Sequence, residues 1–550
     1  MFPIDQELLK VVMAGAHHTG NSAERVHRMT DPQPQSSGKA PPPGCGAKLA
    51  TLTAALLGWM FDGFEMGLFP LTGKPALQEL LGESSATTSD QWFGVIMAVF
   101  LVGAASGGVL FGWLGDKIGR VRAMSLSIVT YALFTGLCGF ATEAWHIAGL
   151  RFFASLGMGG EWSLGVALVN EIWPGKSRAF IAGLIGSAAN VGFLLVAVLS
   201  MELARVIDQI QSVLLQIGLN AESADSLLRN SAWRFLMITG AVPALLIFFI
   251  RLFVPESGRW KEEHAAGKTS NWSNSDLLAV LLGCISAIMI VVVWSPIASQ
   301  LQLPGTAAII LTVLGLIVAL TGFMHPVRKY LRRSVTSGTI TRQTARQITV
   351  RMLFGASLAG IALLGTWGAV QWAPKWSAEL PLQNPTQAIF GRRLAAYPRE
   401  MTQISMAIGA IISTILAAVA AGRFGRRITY AALCVGSLAS TWYFYGLHDS
   451  FGSGFLIAAF LAGGVTSSFY GFFPLYFPEL FPTAVRATGQ GFAFNFGRIL
   501  AAIGGLQTTT LINYFGNDFP RAGMTMAGIY VLGILVVWLG PETKETGLPE

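Results

Sequence analysis

Gly112-Trp113-Leu114-Gly115-Asp116-Lys117-Ile118-Gly119-Arg120 closes one apolar run and, through Val121-Arg122, opens the next. A basic turn this short, set between two apolar segments, fits a pair of antiparallel helices. Its outline returns 306 residues later as Gly422-Arg423-Phe424-Gly425-Arg426. A second stretch, Glu171-Ile172-Trp173-Pro174-Gly175-Lys176-Ser177-Arg178-Ala179, returns 308 residues on as Glu479-Leu480-Phe481-Pro482-Thr483-Ala484-Val485-Arg486-Ala487. Chance supplies one such match. Two in near register, each at a turn between apolar runs, argue for a duplicated six-helix unit.

Working outward from these turns, apolar runs of about 20 residues recur along the chain. They place spans near 49–71, 92–114, 122–142, 146–170, 178–204 and 232–254, then near 277–296 and 306–325. Six more follow near 351–373, 401–421, 427–447, 452–477, 488–511 and 522–540. The expected architecture is an all-α polytopic membrane protein of fourteen spans. Residues 49–254 and 351–540 form the two halves, and a central region, 255–350, carries two extra helices and a basic loop. Residues 1–48, polar and broken by prolines, and residues 541–550 are expected as cytoplasmic tails, the first of them flexible.

Composition agrees. Only 12% of the 550 residues are charged and 53% are hydrophobic, too little charge to cover a soluble surface. The net charge of +8 is accounted for by loop Lys and Arg on the retained side of the membrane, so no nucleic-acid partner is expected. Arg328, Lys329, Arg332, Arg333, Arg342 and Arg346 sit in one acid-free loop that suits anionic lipids. With both ends cytoplasmic, this loop and the basic turns at 116–122, 176–178 and 422–427 all fall on the same side. The loop before the tenth span is an exception, with Arg392, Arg393 and Arg399 outside. Cys45, Cys138, Cys284 and Cys434 show no metal spacing. No phosphate-binding loop or nucleophile constellation is present, so neither an enzyme nor a cofactor is expected.

The 112–120 turn resembles the loop signature of the major facilitator superfamily. Arg151-Phe152-Phe153-Ala154-Ser155-Leu156-Gly157-Met158-Gly159-Gly160 is similar to its fourth-helix motif, and Pro255-Glu256-Ser257-Gly258-Arg259 to the motif after its sixth helix. The second-half loop departs from the pattern, with Gly422 where the acid would stand. Asp62-Gly63-Phe64-Glu65 and Gly159-Gly160-Glu161-Trp162 look most like the metabolite–proton symporters, which include sialic-acid and aromatic-acid carriers. The resemblance implies a proton-coupled symporter of a small organic anion, such as a carboxylate or sugar acid, in the bacterial inner membrane. Expected partners are that substrate, protons and membrane lipids, with the carrier a monomer. A neutral sugar–proton symporter and a non-transporting sensor remain open alternatives.

Ionisable groups at membrane depth need a partner or a task. Asp62 and Glu65 share a face of the first span, and Arg151 and Glu161 lie on the fourth. These four are the proton-coupling candidates, and the resemblance assigns the acid-with-Arg role to Asp62 and Arg151. A permanent ion pair joining the two helices is the alternative. Arg498 is a candidate grip for a substrate carboxylate, with Trp162, Trp367, Gln371, Tyr470, Gln490 and Asn495 as further cavity candidates. Asp116, Arg120, Glu171, Arg178, Glu479 and Arg486 are expected as a charge network that closes the cytoplasmic gate, or as simple topology determinants. Gly103, Gly107, Gly108 and Gly112 are spaced for close helix contact.

Overall fold

The computed structural model describes residues 45–82, 86–173, 177–267, 272–295, 303–384, 388–389, 392–393 and 396–549. The expected 1–48 tail lies almost wholly outside them. Among these residues the chain is helical apart from short connections and one antiparallel pair of two-residue strands, β1 (Ala388–Ile389) and β2 (Arg392–Arg393).

The first half holds α1 (Cys45–Leu81), α2 (Ala86–Ile118), α3 (Arg120–Leu137), α4 (Ala144–Ile172), α5 (Arg178–Gln216), and a broken sixth span made of α6 (Ala221–Thr239) and α7 (Ala244–Phe253). After α8 (Gly258–Ala265) come the inserted helices α9 (Leu277–Val293) and α10 (Gly305–Thr336). The second half holds α11 (Arg342–Gly368), the short α12 (Ala373–Ser377), α13 (Pro398–Phe424) and α14 (Arg426–Gly446). It ends with α15 (Ser453–Ser467), α16 (Phe469–Leu480), α17 (Arg486–Tyr514), α18 (Phe519–Ala527) and α19 (Ile529–Val536).

Each of the fourteen expected spans has its helix or helix pair. Among the described residues, nine segments are long and apolar enough to cross a membrane. The first, sixth, eleventh and thirteenth spans fall outside that set, and α9 is apolar but short. Helices α1 and α17 carry Asp62, Glu65 and Arg498, polar groups that lower their mean hydropathy while facing the interior.

The halves meet along two helix pairs, α2 with α17 and α5 with α13. Small residues make the first pair close. A Cβ on Gly107 would sit 1.8 Å from the Leu156 carbonyl oxygen of α4, and one on Gly108 would sit 2.1 Å from Asn495 Nδ2 of α17. One glycine therefore brings α2 against its own half and its neighbour brings it against the other.

The repeat is visible in backbone geometry. Gly119 and Gly425 both adopt left-handed φ, 109° and 95°, and both open the next helix. A Cβ would strike Glu256 Oε2 at 2.4 Å in the first and Glu542 Oε2 at 2.9 Å in the second. Only glycine satisfies both the φ and the close approach.

The inserted pair lies beside the transport core. Its helices cross closely, since a Cβ on Gly322 would meet the Ala279 carbonyl at 2.4 Å. Ser286 donates to the Gly315 carbonyl at 2.9 Å and the Trp294 indole to Thr312 at 2.8 Å. Arg333 grips Asp276 with two bonds of 2.6 and 2.7 Å. The outer faces, with Leu278, Leu282, Ile310 and Ile317, are exposed and apolar, as lipid contact requires.

Candidate functional site

A cavity lies between the halves. It is walled by Asp62 of α1, Asn190 of α5, Trp367 of α11, Gln403 of α13, Tyr470 of α16 and Arg498 of α17, with Gln371 just past the end of α11. The expected Trp367, Gln371, Tyr470 and Arg498 are thus brought together.

Local sequence explains the wall. Helix α11 ends at Gly368, a one-turn 3₁₀ segment Val370–Trp372 follows, and Pro374 restarts the chain as α12. That break turns Trp367, Gln371 and Pro374 toward the cavity. Helix α16 comes close to α5 because Gly186 has no side chain; a Cβ there would meet the Tyr470 carbonyl at 2.3 Å. Gln403 donates to the Phe193 carbonyl at 3.2 Å, which ties α13 to α5 at the cavity edge. The Arg498 guanidinium stands 5.2 Å from the Phe494 ring centre, and its Nη1 has no hydrogen-bond partner. Among the described residues no carboxylate lies within ion-pair distance of it.

The acids divide into two groups. Glu65 pairs with Arg151 at 2.9 Å and accepts from Thr135 at 3.1 Å. Arg151 is fully buried, its guanidinium 4.5 Å from the Phe100 ring centre and 5.3 Å from that of Phe69. The helix-one acid that meets the helix-four Arg is therefore Glu65 rather than Asp62. Residues 62 and 65 are three apart, and only the helix crossing decides which reaches α4. Asp62 instead lies against Glu161, which also neighbours Tyr131. Gly58 makes this possible, because a Cβ there would fall 1.7 Å from Glu161 Oε1. Asp62 and Glu161 are both buried.

Three expected cavity residues sit elsewhere. Gln490 donates to the Ser163 carbonyl at 2.5 Å, and Asn495 donates to the Gly159 carbonyl at 3.1 Å and to Gly491 at 3.0 Å. Both fasten α17 to α4 and leave the cavity wall to others. Trp162 stacks on Phe494 at 4.0 Å and an 18° angle, one layer behind the wall.

The six expected loop residues fall in two charge clusters at the end of the molecule where the repeated turns lie, Asp116, Arg120, Glu171 and Arg486 in one and Arg178 and Glu479 in the other. Arg120 binds Asp116 at 2.8 Å and Glu171 at 3.3 Å, and Arg486 binds Glu171 at 3.1 Å. Arg178 pairs with Glu479, which also pairs with Arg426 at 2.6 Å. Several of these bonds cross between halves. Asp116 accepts from the Thr488 amide at 2.9 Å, and Arg120 donates to the Thr483 carbonyl at 3.1 Å. The halves are in direct contact at this end.

Glu256, Ser257, Glu542 and Thr543 complete the network and were not among the expected site residues. Glu256 accepts from the amides of Arg120 and Val121 at 2.8 and 3.1 Å, and Ser257 donates to Glu171. Glu542 accepts from the amides of Arg426 and Arg427 at 2.9 and 3.1 Å, and Thr543 donates to Glu479. Desolvation alone would push Glu542 up; the amides of Arg426, Arg427 and Lys544 outweigh it and hold the carboxyl below its ordinary range. The signal is in the sequence, because Pro541-Glu542-Thr543 is a second copy of Pro255-Glu256-Ser257.

Two six-helix halves around a buried central cavity, closed at one end by a duplicated charge network, define a polytopic membrane transporter. The chain belongs to the Major Facilitator Superfamily, whose family model matches residues 54–378; a second model, described as sugar (and other) transporter, matches residues 390–550. A probable 4-methylmuconolactone transporter of Cupriavidus pinatubonensis is 25% identical over 494 residues, 90% of each chain. A putative metabolite transport protein of Haemophilus influenzae is 29% identical over 220 residues, 40% of this chain and 47% of that one, so the match spans about half of that relative. Among solved structures, the proton:xylose symporter XylE of Escherichia coli superposes with a TM-score of 0.61 at 17% identity, over 91% of this chain and 98% of that one.

Proposed function

We propose that the chain is a proton-coupled symporter of a small organic anion, working by alternating access in a bacterial inner membrane with both termini cytoplasmic. The observation that carries this is Arg498, a buried cation at the cavity wall with no carboxylate in ion-pair reach among the described residues. A substrate carboxylate supplies that partner and can be gripped by two parallel N–H bonds. Trp367 and Tyr470 offer flat faces for the rest of the molecule. The relatives named for 4-methylmuconolactone, cis,cis-muconate and sialic acid support the same chemistry.

The proton step is assigned to Asp62 and Glu161. Two buried carboxyls facing each other accommodate one shared proton more readily than two charges. Proton uptake there removes a negative charge from the cavity and lets an anion approach Arg498. Loss of the proton after the halves rock helps to expel it. Glu65 and Arg151 brace α1 against α4 while this happens. Breaking the loop network opens the cytoplasmic end.

The test is uptake into proteoliposomes under an inward proton gradient, with cis,cis-muconate, sialic acid, aromatic acids and hexoses offered separately. One acid is expected to accumulate, and a protonophore to collapse that accumulation. Asp62→Asn is expected to abolish accumulation while sparing exchange. Unchanged pH dependence in that variant refutes its coupling role. The sugar-transporter match over residues 390–550 favours a neutral sugar as the second reading, and accumulation of a hexose in place of an acid would establish it.

A further inference from the structure

A second chamber lies at the end of the molecule away from the loop network, between the end of α1, the start of α2, the α11–α12 break and α17. Its wall carries three cations, Lys74, Lys375 and Arg399, and among the described residues no carboxylate. Trp367, Gln371 and Pro374 line this chamber and the central cavity alike, so the α11–α12 break is a partition one residue layer thick.

Of the nearby acids, one is engaged elsewhere and the other meets a chamber cation from behind the wall. Glu79, five residues beyond Lys74 on α1, holds Arg229 and Arg234, each at 3.0 Å. Glu400 interacts with Arg399 and Ser200 without lining the chamber. Lys375 stands 5.7 Å from the ring centres of both Trp372 and Phe519. Arg399 also belongs to the group that breaks the positive-inside pattern, and a role in this chamber gives that exception a reason.

We propose that this chamber is an anion-collecting vestibule: Lys74, Lys375 and Arg399 draw a carboxylate substrate from the medium and hand it past Trp367 and Gln371 to Arg498. The proposal rests on the organic-anion reading for the identity of the cargo. The electrostatic part stands on the chamber alone. A low-dielectric cleft lined by one sign of charge concentrates the opposite sign and speeds its arrival. Two cationic stations in series also give the anion somewhere to go when it leaves the first, which keeps the outer site from becoming a trap.

The test needs no substrate. Gly505 lines the chamber, and a Cβ there meets nothing within 4 Å, so Gly505→Cys places a reporter thiol with little disturbance. Gly94→Cys is a second reporter, where a Cβ meets only Leu506, at 3.9 Å. The purified full chain is treated with an anionic sulfonatoethyl or a cationic trimethylammonioethyl methanethiosulfonate, and the rate of the parent without the reporter is subtracted. The anionic reagent is expected to react faster than the cationic one, relative to their rates with a free thiol. That preference should fall at least about fivefold when Lys74→Gln, Lys375→Gln and Arg399→Gln are combined. It should also fall as salt is raised from about 0.01 to 1 M, which shortens the Debye length from about 30 to 3 Å. A preference indifferent to the three substitutions overturns the proposal, as does failure of both reporters to react. Uptake of a hexose in place of an acid refutes the anion cargo while leaving the reagent ratio to decide the vestibule.

Discussion

Arg498 shows what a single charge in an apolar run reveals and what it conceals. A cation at membrane depth is visible in the sequence, and so are Trp367 and Tyr470 beside it in space. Gln490 and Asn495 looked equivalent on the same helix, yet both are consumed by carbonyls of α4. An amide serves a cavity or a helix seam equally well, and only the partner helix decides. The Asp62–Glu65 pair was ambiguous for a similar reason. If Arg498 grips the substrate, Arg498→Ala should raise KM for the transported acid by about 10- to 100-fold, the worth of a charge-assisted bond. A neutral analogue should change little. Equal loss for both would mark Arg498 as structural. Glu79 gives a prediction about stability. Desolvation pushes its carboxyl up, but bonds from Asn230, Trp233 and Arg234 prevail and bring it down to about 2. A depressed carboxyl stabilises the fold above its ordinary value of 4.5 and loses that contribution as pH falls toward about 2. Glu79→Gln should therefore lower the Tm at pH 7, and the gap to the parent should close on acidification through that window.

At the scale of elements, apolar runs announce helices but not their interruptions. The twelfth span divides at Ser468, and the ninth breaks after Gly368. Both breaks border the cavity, where straight helices would leave no room. The sixth span is also irregular, with left-handed φ of 51°, 62° and 50° at Asn230, Ser231 and Ala232, and Glu79 holds Arg229 and Asn230 at this bend. The glycines of α2 were legible from spacing alone, since four small residues on one helix imply close neighbours; that they serve two different neighbours was not. Gly107→Ala puts a methyl group against a backbone carbonyl that cannot turn aside. Its cost should be about 1–3 kcal/mol, the usual range for overpacking. The check is a thermal melt in detergent, where an unchanged Tm would show that α2 and α4 separate without penalty.

Over the whole molecule, duplication was the strongest sequence signal, because one turn geometry had to be built twice from the same residues. Gly119 with Glu256 and Gly425 with Glu542 show that the matching letters reflect matching structures. The inserted helices left no such trace, as nothing in a plain apolar run says what it packs on. Neither lines the central cavity. Deleting 275–336 and rejoining the loop should leave a folded carrier that retains transport. Loss of the membrane-inserted protein would show that the pair is integral. The placement of the pair has a mechanical consequence. The pair touches both halves at once: α9 rests on α2 and also meets α17, while α10 touches α11, α17 and α2. Two hydrogen bonds and the Arg333–Asp276 clasp hold α9 and α10 as one body, so rocking cannot be absorbed between them. It must drag their broad aliphatic flank through the lipid, like an outrigger through water. Turnover of the full chain should then fall more steeply with bilayer viscosity than turnover of the shortened form.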